Sequence, residues 1–371
     1  MIPTSVFETT LRGFFSPILP LLDDEAVTEV LINGPSEVFV ERKGKLTKTE
    51  LRFASADKLL SALRVVAQFV GRPFDADHPI LEGRLPDGSR VEALLPPIAP
   101  DGPSVAIRRF SKDRLTLGRL LEFGALTSDA AEMLRVLIEC KRNIVIAGGT
   151  GSGKTSLLNA LSGLIPASER IVVLEDAREL QLQREHVVQL EARPADARGK
   201  GQISIRDLFK ATLRMRPDRI VLGEIRGGEA LDLVQAMTSG HGGCLTTVHA
   251  SYPIDAMNRL ETMALMGGVE LPLSALRAQL ASAVDIVVQT ARLRDGRRLV
   301  THVTEVNGVD PHHGYRLKDL LLALPSREPD GSNRQVLEPT GVLPDCLPVI
   351  HAQGFDLPET VLETARRARG A

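Results

Sequence analysis

The chain has 371 residues, 43% hydrophobic and 25% charged, with a formal net charge of −2. That length predicts two or three domains, and the near-neutral balance excludes a polycation built to coat nucleic acid. Three widely spaced cysteines (Cys140, Cys244, Cys346) without a C-x-x-C pair exclude a disulfide framework and a tetracysteine zinc site.

No basic-then-apolar leader opens the chain and no apolar run nears about 18 residues, so neither a signal peptide nor a spanning helix is expected. With no tryptophan and two tyrosines, aromatic stacking on bases has little support.

Residues 1–110 are expected to form a smaller α+β domain. Glu37-Val-Phe-Val-Glu41 alternates like a strand, and Arg42-Lys-Gly44 turns it back. Ser55 is placed to cap a helix whose apolar face is Leu59, Leu60, Leu63, Val66 and Val70, with Gly71 and Pro73 ending it. A hairpin runs from Leu81 to Val91 with Asp87-Gly88 at its tip, and after a proline-rich break a strand covers Ser104 to Phe110.

Residues 111–124 are expected as the linker and 125–310 as the second domain, opened by a helix capped near Ser128 that carries Leu134, Leu137 and Ile138. Ile171–Leu174, Ile220–Leu222 and Cys244–Val248 are short β-branched apolar runs between helical segments, the pattern of a parallel sheet covered on both faces. Residues 285–306 are expected as an appended hairpin turning at Asp295-Gly296. Residues 311–371 form a C-terminal extension that is either a small addition or a partly disordered tail.

The chemistry centres on Asn143–Thr155, a buried strand, a glycine-rich loop and a helix starting near Lys154. From Gly148 to Thr155 the residues fit G-x-x-x-x-G-K-[ST]. Gly149, Gly151 and Gly153 let backbone N–H groups converge on a phosphate at a helix N-terminus; Thr150, Ser152 and Ser156 complete the cradle. Lys154 reaches the β- and γ-phosphates, and the Thr155 hydroxyl ligates Mg²⁺.

Ligands bind beyond the carboxyl ends of parallel strands. Glu175, Asp176 and Glu179 follow one strand, Glu224 a second, and His249 a third. Glu224 is the expected general base, orienting water in line with the γ-phosphate. Gly223 occupies the place where many nucleotide hydrolases carry a Mg²⁺-binding Asp, so Mg²⁺ is expected to rely on Thr155, phosphates and waters, with Glu175 or Asp176 helping through a water. His241 and His249 are expected to sense the γ-phosphate by hydrogen bonding. Arg84, Arg90, Arg108 and Arg109 are candidates to meet transition-state charge, although Arg108 and Arg109, as neighbours on a strand, face opposite ways.

Residues from about Glu25 to Val306 resemble the secretion-superfamily ATPases of type II and type IV secretion and type IV pili. The matching signatures, in order, are Gly148–Thr155, the acidic box Val173-Leu-Glu-Asp-Ala-Arg-Glu-Leu180, the atypical Walker B stretch Ile220-Val-Leu-Gly-Glu224, and the histidine box Gly240-His241…Thr247-Val-His249-Ala250. Arg226-Gly-Gly-Glu229 fits as well. Leu31-Ile-Asn-Gly-Pro35, the Leu81–Arg90 stretch and Ile107-Arg-Arg-Phe110 look most like the tight-adherence (Flp) pilus branch.

The resemblance implies an α/β protein: a RecA-like P-loop NTPase domain with a mainly parallel sheet, preceded by a smaller PAS-like α+β domain. It further implies a cytoplasmic homohexamer at the inner membrane that hydrolyses ATP with Mg²⁺. N-terminal-domain arginines would complete the site, and the motion would act on an inner-membrane platform protein in pilus assembly or secretion. The same superfamily also offers a conjugative or type IV secretion ATPase. A nucleic-acid-stimulated RecA-like motor is disfavoured by the charge and scarce aromatics, and a nucleotide-switched binding module by Glu224.

Overall fold

A computed structural model describes residues 4–42, 44–110, 115–196, 199–327 and 333–370. The chain divides into two compact units, Met1–Asp113 with Ala195–Lys200, and Arg114–Pro194 with Gly201–Ala371.

The first unit comprises α1 (Thr4–Phe14), α2 (Leu19–Leu22), β1 (Val27–Asn33), β2 (Glu37–Arg42), β3 (Lys45–Lys48), α3 (Ala56–Val70), β4 (Ile80–Arg84), β5 (Arg90–Leu94) and β6 (Ser104–Arg108). Its six strands form one antiparallel sheet in the order β3-β2-β1-β6-β5-β4. Alternation decides which side is buried: Val30, Ile32, Val38, Val40, Val91, Val105 and Ile107 are enclosed with Leu59, Leu63 and Val66 of α3. The Ser55 hydroxyl accepts from Lys58 N at 3.3 Å, and Gly71 ends α3 at φ 70°, a left-handed conformation that favours glycine. Helix α1 is an addition to the elements expected from the sequence.

The second unit comprises α4 (Leu117–Glu122), α5 (Ser128–Glu139), β7 (Ile144–Gly148), α6 (Lys154–Ser162), β8 (Ile171–Glu175), β9 (Val187–Glu191), α7 (Ile205–Thr212), β10 (Arg219–Leu222), α8 (Glu229–Thr238), β11 (Leu245–His249), α9 (Pro253–Leu265), α10 (Leu273–Ala283), β12 (Ile286–Arg292), β13 (Arg298–Asp310), β14 (Gly314–Arg327), β15 (Asn333–Pro339), α11 (Leu347–Ala352) and α12 (Glu359–Gly370). Six strands run parallel in the order β12-β7-β11-β10-β8-β9, and β13, β14 and β15 continue antiparallel beyond β12.

Both faces are covered, which is why β7 carries no polar side chain and β8 is apolar up to its closing Glu175. Ile144, Ile146, Ile171 and Val173 pack with α5 and α6 on one side. Val145, Ala147 and Leu174 pack with α7 to α10 on the other. Burying each of these Val, Leu and Ile side chains contributes roughly 1.5–3 kcal/mol before entropy is counted.

The cap expected near Ser128 is Thr127, which accepts from Ala130 N at 3.3 Å. Two expectations change. Residues 111–114 lie outside the described residues, and the rest of the expected linker contains α4, whose Leu120 is buried in the second unit's core. The segment after Asp285 is more than an appended hairpin: β12 pairs parallel with β7 from Ile286↔Ile144 to Thr290↔Gly148, and β14 and β15 of the extension carry the sheet further. Ile350, Leu357 and Val361 of that extension are buried in the core.

Candidate nucleotide site

Strand β7 ends at Gly148 and α6 begins at Lys154, so the intervening loop lies at the carboxyl edge of the sheet and at a helix N-terminus. The steric demand for glycine falls first on Gly148, where a Cβ would overlap Ser152 Oγ and Thr290 Oγ1. Gly151 and Gly153 take φ of 70° and 97°. Gly149 is not among the positive-φ glycines and has open space where a Cβ would stand. Ser152 Oγ donates to Gly149 O at 2.8 Å and lies 2.9 Å from Thr290 Oγ1, which donates to Ala147 O at 3.1 Å, so β12 braces the loop. Arg298 Nε donates to Gly151 O at 2.9 Å. Thr150 is exposed; Thr155 and Ser156 are half-buried on the first turn of α6.

Lys154 is only 7% exposed. Its Nζ donates to Gly149 O at 3.0 Å and stands 3.4 Å from each ring nitrogen of His249, at the end of β11. His249 Nε2 is 3.1 Å from Glu224 Oε1, beyond the end of β10. Burial and the neighbouring Lys154 push the His249 pKa down, so the ring is neutral at pH 7. A proton on Nε2 then donates to Glu224 and leaves Nδ1 to accept from Lys154, which satisfies both neighbours. A buried ammonium at a helix N-terminus, held open by a glycine that tolerates no side chain, suits phosphate oxygens.

Glu175 ends β8 and is 5% exposed. Its Oε1 accepts from Glu179 N at 2.8 Å and Leu180 N at 2.9 Å, while burial pushes its pKa up to about 7. A Cβ at position 223 would stand 3.0 Å from Glu175 Cγ. The glycine preceding Glu224 therefore leaves its side-chain space to the carboxylate of the next strand. Thr155, Glu175 and phosphate oxygens would form an all-oxygen set suited to Mg²⁺. Among the described residues, no group of three or more His, Cys, Asp or Glu side chains forms a ready-made metal cage.

The parallel sheet thus gathers Lys154, His249 and Glu224, with Glu175 and Glu179 on the adjoining strand end. It does not gather His241. β11 pairs with β7 from Leu245↔Ile144 to His249↔Gly148, so His241 precedes the strand at the amino edge. The strand alone spans about 13 Å at 3.3 Å per residue. His241 N donates to Ala236 O at 3.1 Å, and its carbonyl accepts from Cys244 Sγ at 3.0 Å. The expectation that both histidines meet one γ-phosphate within a chain fails because the glycine-rich stretch and the strand end lie on opposite sheet edges.

In the first unit, Arg84 pairs with Arg90 and Arg90 with Arg108 across β4, β5 and β6, so these three share one sheet face. Arg109 does not join them. Its Nη1 donates to Leu21 O at 3.1 Å, in α2, and to Asp24 O at 2.9 Å, just beyond that helix. That corrects its assignment to nucleotide: it binds main-chain carbonyls of its own unit.

Arg226 was visible in the sequence only as part of a motif. It reaches Glu224 Oε2 with Nη2 at 2.9 Å and Asp176 Oδ2 with Nη1 at 3.2 Å. Its position two residues after Glu224 was the available signal. Thr290 gave none, since its role depends on β12 lying beside β7.

A sequence model described as "Type II/IV secretion system protein" matches residues 14–314. The type IV secretion system protein PtlH of Bordetella pertussis is 36% identical over 298 residues, 74% of this chain and 88% of that protein. The conjugal transfer protein TrbB of Rhizobium radiobacter is 35% identical over 298 residues, 79% of this chain and 87% of that protein. The X-ray structure of the Yersinia pseudotuberculosis ATPase DotB shares the fold at TM-score 0.56 and 17% identity, over 79% of this chain and 78% of that one. With a family match across both units and relatives above 30% identity over most of its length, this chain belongs to the type II/IV secretion system protein family.

Proposed function

We propose that the chain is an ATP-hydrolysing motor that drives a secretion, conjugation or pilus machine. The observation that carries this reading is the unbroken polar path from Lys154 through His249 to Glu224 across the ends of β7, β11 and β10. Lys154 and the loop amides bind the β- and γ-phosphates. Glu224 orients the attacking water and takes its proton as the P–O bond to the leaving ADP breaks. Neutral His249 donates to whichever acceptor needs it, Glu224 or a γ-phosphate oxygen. Mg²⁺, when bound, would neutralise β- and γ-oxygen charge, held by Thr155 and, through a water, by Glu175.

The family supports a ring of six chains at the cytoplasmic face of the inner membrane, acting on a platform protein there. Arg84, Arg90 and Arg108 share one sheet face, which supports them as the cationic group that completes a site. In the first unit, the first and last strands lie side by side at the centre of one antiparallel sheet, which supports the PAS-like reading. The names of the relatives support a conjugation or type IV secretion channel; the Leu31–Pro35, Leu81–Arg90 and Ile107–Phe110 motifs support a tight-adherence pilus. Prepilin or conjugation genes beside its own would separate these branches.

The test is steady-state phosphate release. Glu224→Gln should lower turnover by at least about a hundredfold while nucleotide binding persists, and Lys154→Ala should weaken binding itself. Wild-type turnover persisting in Glu224→Gln would refute the assigned base. Turnover that rises with added DNA in a salt-dependent way would favour a nucleic-acid motor instead.

A further inference from the structure

Both carboxylate oxygens of Glu224 are engaged. Oε1 faces His249 Nε2 at 3.1 Å, and Oε2 accepts from Arg226 Nη2 at 2.9 Å. The other arm of the same guanidinium, Nη1, lies 3.2 Å from Asp176 Oδ2. Glu224 follows β10 and Asp176 follows β8, which are neighbours in the sheet, so one planar fork spans two strand ends.

The base of that fork is fixed. Buried Glu229 accepts from Arg226 N at 2.6 Å and Gly227 N at 2.8 Å through Oε1. Ile225 N donates to Thr247 O at 2.9 Å, tying the same loop to β11. A Cβ at Gly228 would stand 2.8 Å from Gly267 Cα, so the turn after Arg226 is pressed against a second backbone. The Arg226 side chain itself is 55% exposed, and an exposed ion pair adds little to folding stability. A pair with little to give to stability, on a loop held this tightly, is explained by what it aims.

We propose that Arg226 is a positioning residue for the hydrolytic step: braced on Asp176, it holds the Glu224 carboxylate in the orientation that receives the water proton. The idea rests on the ATPase reading of the site. A glutamate side chain has three rotatable bonds, and a base left free to turn spends most of its time misaligned. With His249 on one oxygen and Arg226 on the other, the carboxylate plane is set and further lone pairs stay open to water. Arg226 acts through Glu224, and Asp176 acts through Arg226.

The test uses the full chain and compares kcat with KM for ATP. Arg226→Ala should lower kcat about tenfold with KM within about twofold. Arg226→Lys, able to reach one carboxylate at a time, should recover part of that loss. Asp176→Asn, an exposed and nearly isosteric change, should lower kcat a few-fold, and combining it with Arg226→Ala should add no further loss. Unchanged kcat in Arg226→Ala, a raised KM at constant kcat, a rise in kcat, or additive losses in the double variant would each overturn the proposal. If Arg226→Ala fails to fold, Arg226→Lys and Asp176→Asn carry the same comparison. Wild-type turnover lost in Glu224→Gln but untouched by Arg226→Ala sinks only this proposal; no wild-type turnover sinks the ATPase reading and this proposal with it.

Discussion

Burial holds the Glu175 carboxyl at a pKa of about 7 against two backbone N–H groups that favour its ionised form. The folded value lies above the unfolded one of 4.5, so the folded chain binds the extra proton between those values. Stability from this group is complete below about pH 4.5 and lost as pH rises through 7. Glu175→Gln keeps the acceptor for Glu179 N and Leu180 N and removes the charge. It should flatten the urea-midpoint profile between about pH 5 and 8 and leave the variant relatively more stable at pH 8, by up to on the order of 3 kcal/mol. An unchanged slope would show that another group titrates there. At this scale Lys154 was legible from the glycine spacing of its loop, and Glu224 and His249 because each is a reactive type at the end of an apolar strand. His241 and Arg109 were misplaced because residue type says nothing about sheet edge or about which carbonyls lie nearby.

The strands and helices of the second unit are tied together at their amino edge by polar groups that no motif announces. Asn143 Nδ2 donates to Ala283 O at 2.7 Å, and its Oδ1 accepts from Cys244 N at 3.0 Å. Arg219, 1% exposed at the start of β10, pairs with Glu169 and donates to Ile138 O at 2.7 Å and Gly243 O at 3.3 Å. A Cβ at Gly243 would overlap that guanidinium, and its φ of 77° already favours glycine. Gly243→Ala should therefore cost about 3 kcal/mol or more by leaving buried charge mispaired. Gly240→Ala, at φ 101° with nothing within 4 Å, should cost only about 1 kcal/mol. Urea midpoints of the two variants check this; equal losses would mean that backbone strain alone matters there. Among elements, α3 was readable from Ser55, its apolar stripe and Gly71. β9, half-buried at the sheet edge, and β14 and β15, within a proline- and glycine-containing tail, lacked a strong period.

For the molecule as a whole, the proposed ring makes a claim that one chain cannot display: that the arginine row of the first unit acts on another chain's nucleotide. Mixing Arg84→Ala chains with Lys154→Ala chains in equal amounts should restore about a quarter of the sites if subunits assort at random. No recovery at any ratio would place the arginine's action within one chain. Among the described residues no helix is long and apolar enough to cross a membrane.

The sequence by itself determined the phosphate loop, the general-base candidate and a mainly parallel sheet, because glycine spacing, a reactive residue after an apolar strand and β-branched runs are local properties. Only the tertiary structure decided that Arg84, Arg90 and Arg108 share a face, that His241 lies at the far edge from His249, and that Arg226 joins two strand ends. Each depends on pairing register or strand order, and those are set by segments far apart in the chain.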